Sequence, residues 1–388
     1  TASSSANIIS GGLVAPIPAL AMLSGSNMPA TQLVAWVFAV SFLGIWVAWY
    51  LRASLILRYE LPFPTGRATA ETLLEIFNKS REATLKLRVL LSSTAIAGVL
   101  KWLDTGAFTL PRPSLGFVLP VNGVLSGTAI SAKNLTFVFD PSLLLAGFGA
   151  IIGFRTGLSL LLGGIISWGL LGPLGLSQGF IVPGADDPAA SWFTSMIEWL
   201  LWPGVALMVG SALTRFILHG ITQRSRILSS AEQGIEADDG ARIPRLVGLS
   251  VAAALVVIAQ MAFFDIHWFI AMLAVPIAFM LAIVASRVVG ETGIPPIGAI
   301  GKISQLTTGA VAPGETTANL IGANVAGGAA GQSADLLNDL KVGYLIGTRP
   351  HFQVVAQFFG ILTGSVIGSI VYLQLIPDPA SMPVSYTH

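Results

Sequence analysis

Seven runs of roughly 18–25 apolar residues recur along the chain: Thr31–Leu51, Leu85–Leu103, Thr156–Leu174, Trp192–Leu218, Leu246–Phe264, Phe269–Val288 and Phe352–Ile376. Each is long enough to cross a hydrocarbon core about 30 Å thick at about 1.5 Å per residue. Lipid offers the backbone no hydrogen bonds, so runs of this length fold as helices that satisfy their own polar groups. Charge is correspondingly scarce. Only 10% of residues are Asp, Glu, Lys or Arg and the mean hydropathy is +0.78, against about 25% charged residues in a soluble domain. Shorter apolar segments (Ile8–Leu23, Ser142–Phe154, Ile294–Ala310 and Thr317–Leu337) read as half-helices or re-entrant pieces. The expected fold class is an all-α polytopic membrane protein, with about eight to ten transmembrane helices plus re-entrant or broken half-helices.

Several chemistries lack their residues. The chain has no cysteine, which excludes disulfides, thiolate metal sites and a Cys nucleophile. His219, His267, His351 and His388 are scattered and form no ligand cluster, so no metal is expected. Gly298–Ser304 (GAIGKIS) departs from a phosphate loop, because Pro296 replaces the first glycine and Ile303 follows Lys302. No G-x-S-x-G elbow, cofactor fingerprint or basic, aromatic-interleaved patch is present. The reading is no enzyme, no cofactor and no nucleic acid, with the lipid bilayer as the first partner and homo-oligomerisation left open. The small, polar start TASSSANIISGG and the end PDPASMPVSYTH read as cuts through a longer protein.

Basic residues set the expected orientation. Arg52–Arg88 carries Arg52, Arg58, Arg67, Lys79, Arg81, Lys86 and Arg88, and His219–Arg245 carries Arg224, Arg226, Arg242 and Arg245. Gly175–Ser191 and Asp265–Trp268 hold no Lys or Arg. The first pair is expected in the cytoplasm, with Ser142–Phe154 also crossing and Asp140-Pro141 as N-cap and first residue of that helix. The expected organisation is a first membrane half over 1–218, a cytoplasmic connector over 219–245 and a second half over 246–388. The expected setting is a cell membrane, of prokaryotic inner-membrane type.

Two breaks interrupt this pattern. RYELPFPTGRATAET holds Glu60, Pro62 and Pro64, and VGETGIPPIGAIGKI holds Glu291, Thr292, Gly293, Pro295, Pro296 and Lys302. Aligning Glu60 with Glu291, a shift of 231, pairs Pro64 with Pro295 and Ala68 with Ala299. Both copies follow a long span, so the halves read as a parallel internal repeat with broken helices around one site. Irregular backbone at membrane depth must line a cavity or be buried in protein. An interfacial turn with two snorkelling charges is the alternative. Further on, Asn324, Gly328, Gln332, Asp335 and Asp339 share one helical stripe, while Asn319, Ala323, Gly327 and Gly331 form a second, mostly small row. The stripe is either a polar pathway or the surface of a tightly packed helix.

With these residues in view, the chain resembles the oligopeptide transporter (OPT) superfamily. The resemblance is carried by SANIISGGLVAPIPAL, ELPFPTGRATAETL, GFRTGLSLLLGGIISWGLLGPLG, GETGIPPIGAIGKISQLTTG and NVAGGAAGQSADLLNDLKVGYLIGTRP. It looks closest to the prokaryotic and yellow stripe-like members, and the NPG and KIPPR signatures of the fungal and plant peptide branch are absent. The resemblance implies a proton-coupled importer of short peptides or peptide-like metal chelates. It also implies further helices beyond both ends.

On that reading Glu291 is the expected proton-coupling carboxylate, with Glu60 its repeat partner and Asp335 the runner-up. A carboxyl group removed from water can exchange a proton near neutral pH. Thr292, Lys302, Gln305, Asn324 and Gln332 are the expected substrate-binding residues. A passive channel, and a non-transporting intramembrane enzyme or structural subunit, remain the alternatives.

Overall fold

The computed structural model describes residues 1–3, 16–77, 81–106, 111–120, 129–140, 142–185, 187–230 and 242–378. Glu232, Glu236, Asp238, Asp239, Pro141 and most of the opening segment lie outside them. The protein is helical, and six helices among the described residues are long and apolar enough to cross a membrane. It divides into two compact units, Thr1–Ala70 with Met208–His388, and Glu71–Leu207.

In the larger unit, α1 (Pro16–Ser24) precedes α2 (Ala30–Arg52), which runs on as a π-helical turn over Ala53–Arg58. Next comes α3 (Pro64–Phe77), whose first half belongs to this unit. In the smaller unit, α4 (Arg81–Gly106) precedes a short antiparallel ladder of β1 (Val118–Pro120) and β2 (Ala129–Ser131). There follow α5 (Leu143–Gly164), a π segment Ile165–Leu171, and α6 (Gly172–Ser177). Helix α7 (Phe193–Ser230) enters from this unit and leads to α8 (Arg242–Phe264), α9 (Trp268–Thr292), α10 (Ile297–Val311), α11 (Thr316–Ile346) and α12 (Pro350–Leu375).

The smaller unit keeps one expectation and corrects another. Leu143–Gly164 is two helical pieces joined at a non-helical Gly153 (φ 80°, ψ 166°), close to the expected boundary between Ser142–Phe154 and Thr156–Leu174, and the second piece passes on into the π segment and α6. Asp140 is not the N-cap: Ser142 accepts from the Leu145 N–H, and Asp140 instead faces Arg112 at 3.7 Å. Its core gathers Ile130, Leu135, Leu176, Ile181, Trp192, Met196 and Leu200. Asn134 staples this core, donating to the carbonyls of Asp187 and Ala190 and accepting from Ser131.

The larger unit is organised around α11, which packs against α1, α2, α8, α9, α10 and α12. Every residue from Ile321 to Ala334 is buried. Thr317–Leu337 was expected to be a short piece, yet it belongs to a 31-residue helix, about 46 Å long at about 1.5 Å per residue. Its low hydropathy reflects a helix walled by other helices rather than by lipid. Small residues allow that enclosure.

The stripe and the small row each take one neighbour. Helix α2 runs parallel to α11 along the stripe. Trp36 Nε1 donates to Asn324 Oδ1 at 2.9 Å, Val40 covers Gly328, and Gly44 meets Gln332. Helix α10 runs antiparallel along the row, with Ile297 against Gly327 and Gly331, Thr308 against Gly322, and Asn319 Nδ2 donating to the Gln305 carbonyl at 3.0 Å. Helix α8 lies antiparallel to α2, with Trp46 over Gly248 and Trp36 against Phe264 at 4.9 Å.

Gly44 tests this packing. A Cβ there would sit 2.5 Å from Gln332 Cβ and 2.8 Å from the Ala329 carbonyl oxygen. Gly44→Ala is expected to cost about 1–3 kcal/mol by overpacking. Gly298→Ala, with open space around its Cβ, should stabilise by about 0.5–1 kcal/mol. Thermal unfolding in detergent should therefore move the two variants in opposite directions.

Candidate functional site

Both sequence breaks are breaks in the structure. After the π turn, Glu60 and Phe63 hold positive φ values of 48° and 44°. Such backbone costs non-glycine residues roughly 1–3 kcal/mol each. Pro64 then opens α3, its fixed φ and missing N–H suiting a first helical position. At the second break Gly293 ends α9 in the left-handed conformation at φ 79°, and its N–H bonds the Val289 carbonyl at 2.8 Å. Thr292 Oγ1 donates to the Val288 carbonyl and accepts from the Ile294 N–H. Pro295 and Pro296 carry the chain to α10, where Pro296 is the N-cap.

The two breaks meet. The Phe63 N–H donates to the Gly290 carbonyl at 2.8 Å. Phe63 is fully buried, and Gly290 must lack a side chain there, since a Cβ would lie 2.7 Å from Leu61 Cδ1 and 3.1 Å from Phe63 Cζ. A buried bond of this kind helps hold the strained turn, because leaving its donor unpaired costs about 1–3 kcal/mol.

Charge crosses the same joint. Arg287 Nε lies 3.3 Å from Glu291 Oε1, with side chains 12% and 40% exposed. Nε is not aligned for a hydrogen bond, so the contact is an ion pair. The Arg287 guanidinium also stacks 4.7 Å over the Tyr59 ring, next to Glu60. Arg287 thus ties the end of α9 to the first break. Glu291 is held by Arg287 rather than by Lys302, which is half-buried in the second turn of α10.

The C-terminal part of α11 completes the cluster. Gly66 of α3 presses on the Asn338 carbonyl, and Thr65 Oγ1 donates to Asn338 Oδ1 at 2.9 Å. Lys341, buried to 8% exposure, lies within electrostatic reach of Glu60 and Arg67 and sits 5.7 Å from the Tyr344 ring. Asp335 is half-buried and senses Asp339 one turn on.

The expected residues therefore fall into two groups. Glu60, Glu291 and Thr292 lie at the joined breaks, with Pro62 exposed and Pro64 buried in the first of them, while Asp335 stands half-buried on α11 three residues before Asn338. Lys302, Gln305, Asn324 and Gln332 lie along the α10–α11 and α2–α11 contacts. There Asn324 is engaged by Trp36, while Gln332 is fully buried with neither amide atom bonded. Arg287, Tyr59, Phe63 and Gly290 were missed. An arginine inside the apolar run of α9 was the available signal.

A double-mutant cycle checks the Arg287 bridge. Arg287→Gln and Tyr59→Leu should couple by roughly 0.5–2 kcal/mol in unfolding free energy. Strict additivity would show that the stacked geometry contributes nothing.

Comparison with known proteins places the chain in a family. The family model described as OPT oligopeptide transporter protein matches residues 1–385. A putative oligopeptide transporter of Saccharomyces cerevisiae is 24% identical over 90% of this chain and 63% of its own length. The iron-phytosiderophore transporter yellow stripe 1 of Zea mays is 28% identical, over 91% of this chain and 56% of its own. A metal-nicotianamine transporter of Oryza sativa subsp. japonica is 29% identical, over 87% and 52%. The chain spans between about half and two-thirds of the length of these relatives. A match over almost every residue makes the assignment plain: the chain belongs to the OPT oligopeptide transporter family.

Proposed function

We propose that this chain is the core of a proton-coupled secondary importer of short peptides or peptide-like metal chelates in a cell membrane. The observation that carries the reading is the joint itself. Two broken helices meet at a backbone hydrogen bond, and one arginine bridges them to a carboxylate. Relatives named for oligopeptides, iron-phytosiderophore and metal-nicotianamine support the substrate class. Those substrates carry carboxylates and amines on one small body, and a cluster holding Glu60, Arg67, Arg287, Glu291 and Lys341 offers both signs of charge.

The mechanism follows from the ion pair. With Glu291 ionised, Arg287 is held between it and Tyr59, and the breaks stay joined. A proton on Glu291 removes the attraction and frees the guanidinium for a substrate carboxylate. The joint then opens, and release of proton and substrate closes it. Helix α10 enters the bundle with its N-terminus beside Gly327 and Gly331, near the middle of α11, where its dipole favours an anionic group. Glu60 and Glu291 act as counterparts of an internal repeat, since each break follows a long span and precedes a helix of 14 or 15 residues. The basic content around Arg52, Arg58 and Arg67 supports a cytoplasmic position for the joint.

Uptake into proteoliposomes with an imposed pH gradient tests the reading. The wild-type chain should accumulate a labelled peptide or chelate when the outside is acid. Glu291→Gln should lose that accumulation while still exchanging substrate downhill. Accumulation with unchanged pH dependence in Glu291→Gln would remove Glu291 from the coupling role. A wild-type chain that only equilibrates substrate would point to a passive channel.

A further inference from the structure

The short ladder of the smaller unit has one closed edge and one open one. In an antiparallel pair, successive residues alternate between turning both backbone groups to the partner and turning them away. Pro113, Leu115 and Phe117 face inward. The Pro113 carbonyl accepts from the Phe139 N–H at 2.9 Å, the Leu115 N–H donates to the Phe137 carbonyl at 3.3 Å, and the Phe117 carbonyl accepts from the Ala132 N–H at 3.0 Å. Ser114 and Val118 stand opposite Val138 and Ser131 in the alternate positions. Ser114, Gly116 and Val118 therefore turn their N–H and C=O groups outward, where none has a partner among the described residues. The other edge is closed by its own turn: the Ser131 N–H donates to Asn134 Oδ1 at 2.9 Å, and the Ser131 carbonyl accepts from the Leu135 N–H at 3.3 Å.

An open strand edge is a template for pairing, and folded proteins usually blunt or cover it. This one is exposed over all of 111–118, and Pro113 and Pro120 leave only Ser114–Leu119 between them. At about 3.4 Å per residue it offers roughly 20 Å. Gly116 stands near its middle, and a Cβ there would meet nothing within 4 Å. Glycine inside a strand often marks a place where another backbone comes close.

A cavity of about 300 Å³ runs beside the same residues, between Ser114–Val118, Lys133 and the loop residues Pro188 and Ala189. It is held in shape without a ligand. Ser131 Oγ donates to the Pro188 carbonyl at 2.6 Å, and Asn134 Nδ2 donates to the carbonyls of Asp187 and Ala190. Its walls are largely apolar, and both signs of charge stand at them. The exposed Lys133 ammonium has no ion pair among the described residues. The exposed Asp187 carboxylate accepts from the Ala189 N–H at 2.8 Å and keeps its remaining lone pairs for solvent.

Donors and acceptors at alternate residues, an apolar cavity alongside and one charge of each sign fit the backbone, side chains and termini of a short peptide. We propose that the open edge continuing into β1 captures such a peptide in extended form, as a third strand of the ladder, with a side chain in the cavity and its charged ends met by Lys133 and Asp187. In strand addition the main-chain bonds supply affinity and pockets take alternate side chains. Capture of this kind accepts many sequences but requires amides, which narrows the substrate class to peptides. Helix α4 leads to the hairpin from the basic stretch ending at Arg88, which supports an outer position, where an importer meets its substrate. That the captured peptide is cargo rests on the proposed function; the strand addition does not.

Tetra-alanine and two methylated forms of it, titrated calorimetrically into the full chain in detergent, test the capture. Only alternate amides of an added strand face the edge. Methylating the amide nitrogen of the second or of the third residue should therefore have unequal effects. One peptide should bind at least about tenfold more weakly than tetra-alanine and the other within about twofold of it. Tetra-alanine should also slow the reaction of a methanethiosulfonate with Ala189→Cys, a single thiol in a chain that has no cysteine. Val118→Pro removes an outward N–H and leaves the bonds between β1 and β2, so it should weaken binding about tenfold at an unchanged melting temperature. Equal effects of the two methylations, an unprotected Ala189→Cys thiol, or full affinity in Val118→Pro would overturn strand capture. If Val118→Pro does not fold, the methylated peptides decide the matter on the unaltered edge. Capture by a chain that takes up no peptide into proteoliposomes would sink the importer reading alone.

Discussion

The larger unit depends on the close approach that α11 permits. In lipid, helices gain little from hiding apolar surface from one another, so association relies on contact between backbones and on interhelical hydrogen bonds. Helix α11 supplies both. Glycines and alanines let α2, α9 and α10 come close, and the few polar groups are placed where a partner crosses: Asn324 under Trp36, and Ser333 3.0 Å from Ser286 of α9. A large residue at Gly322, Gly328 or Gly44 would push a neighbour away along its whole length, because interiors at this density have no slack.

That rigid centre is what allows the two breaks to exist. Glu60 and Phe63 occupy backbone conformations that a free chain would leave, and they persist because α9 and α11 hold both sides of the turn. Strain, the Arg287 guanidinium and the Glu291 carboxylate are thereby collected at one joint. The rest of the unit stays apolar toward lipid. A site of this kind can change state through a single ion pair without unfolding its surroundings, which is what the proposed coupling requires.

Much of this was legible in the sequence, for reasons that also mark where it stopped. Runs of apolar residues located α2, α8, α9 and α12 to within a few residues, since lipid exposure is what such runs record. Helix α11 was read as a fragment because its Gly, Ala and polar content lowers hydropathy for a different purpose, enclosure by protein. The proline and glycine blocks at Glu60 and Glu291 marked true breaks, but aligned positions are not in equivalent conformations. Pro64 opens α3 directly, whereas Pro295 precedes α10, so Glu60 lies outside any helix and Glu291 in the last turn of one. Arg287 was invisible as a bridge, because its partner Tyr59 is far away in sequence and its own run looked like an ordinary span.

The central claim is that the joint between the breaks opens during transport, and a removable lock tests it most directly. Leu61→Cys removes the Cδ1 atom that crowds a side chain at Gly290. A Cβ there falls 3.1 Å from Leu61 Cβ, a few tenths of an ångström inside the about 3.5–4.5 Å of bridged cysteines, and the chain has no other thiol to interfere. In the Leu61→Cys/Gly290→Cys double variant, uptake should stop when the disulfide forms and return when it is reduced, with substrate binding kept in both states. Equal transport by the oxidised and reduced forms, with the disulfide verified by mass, would contradict the account.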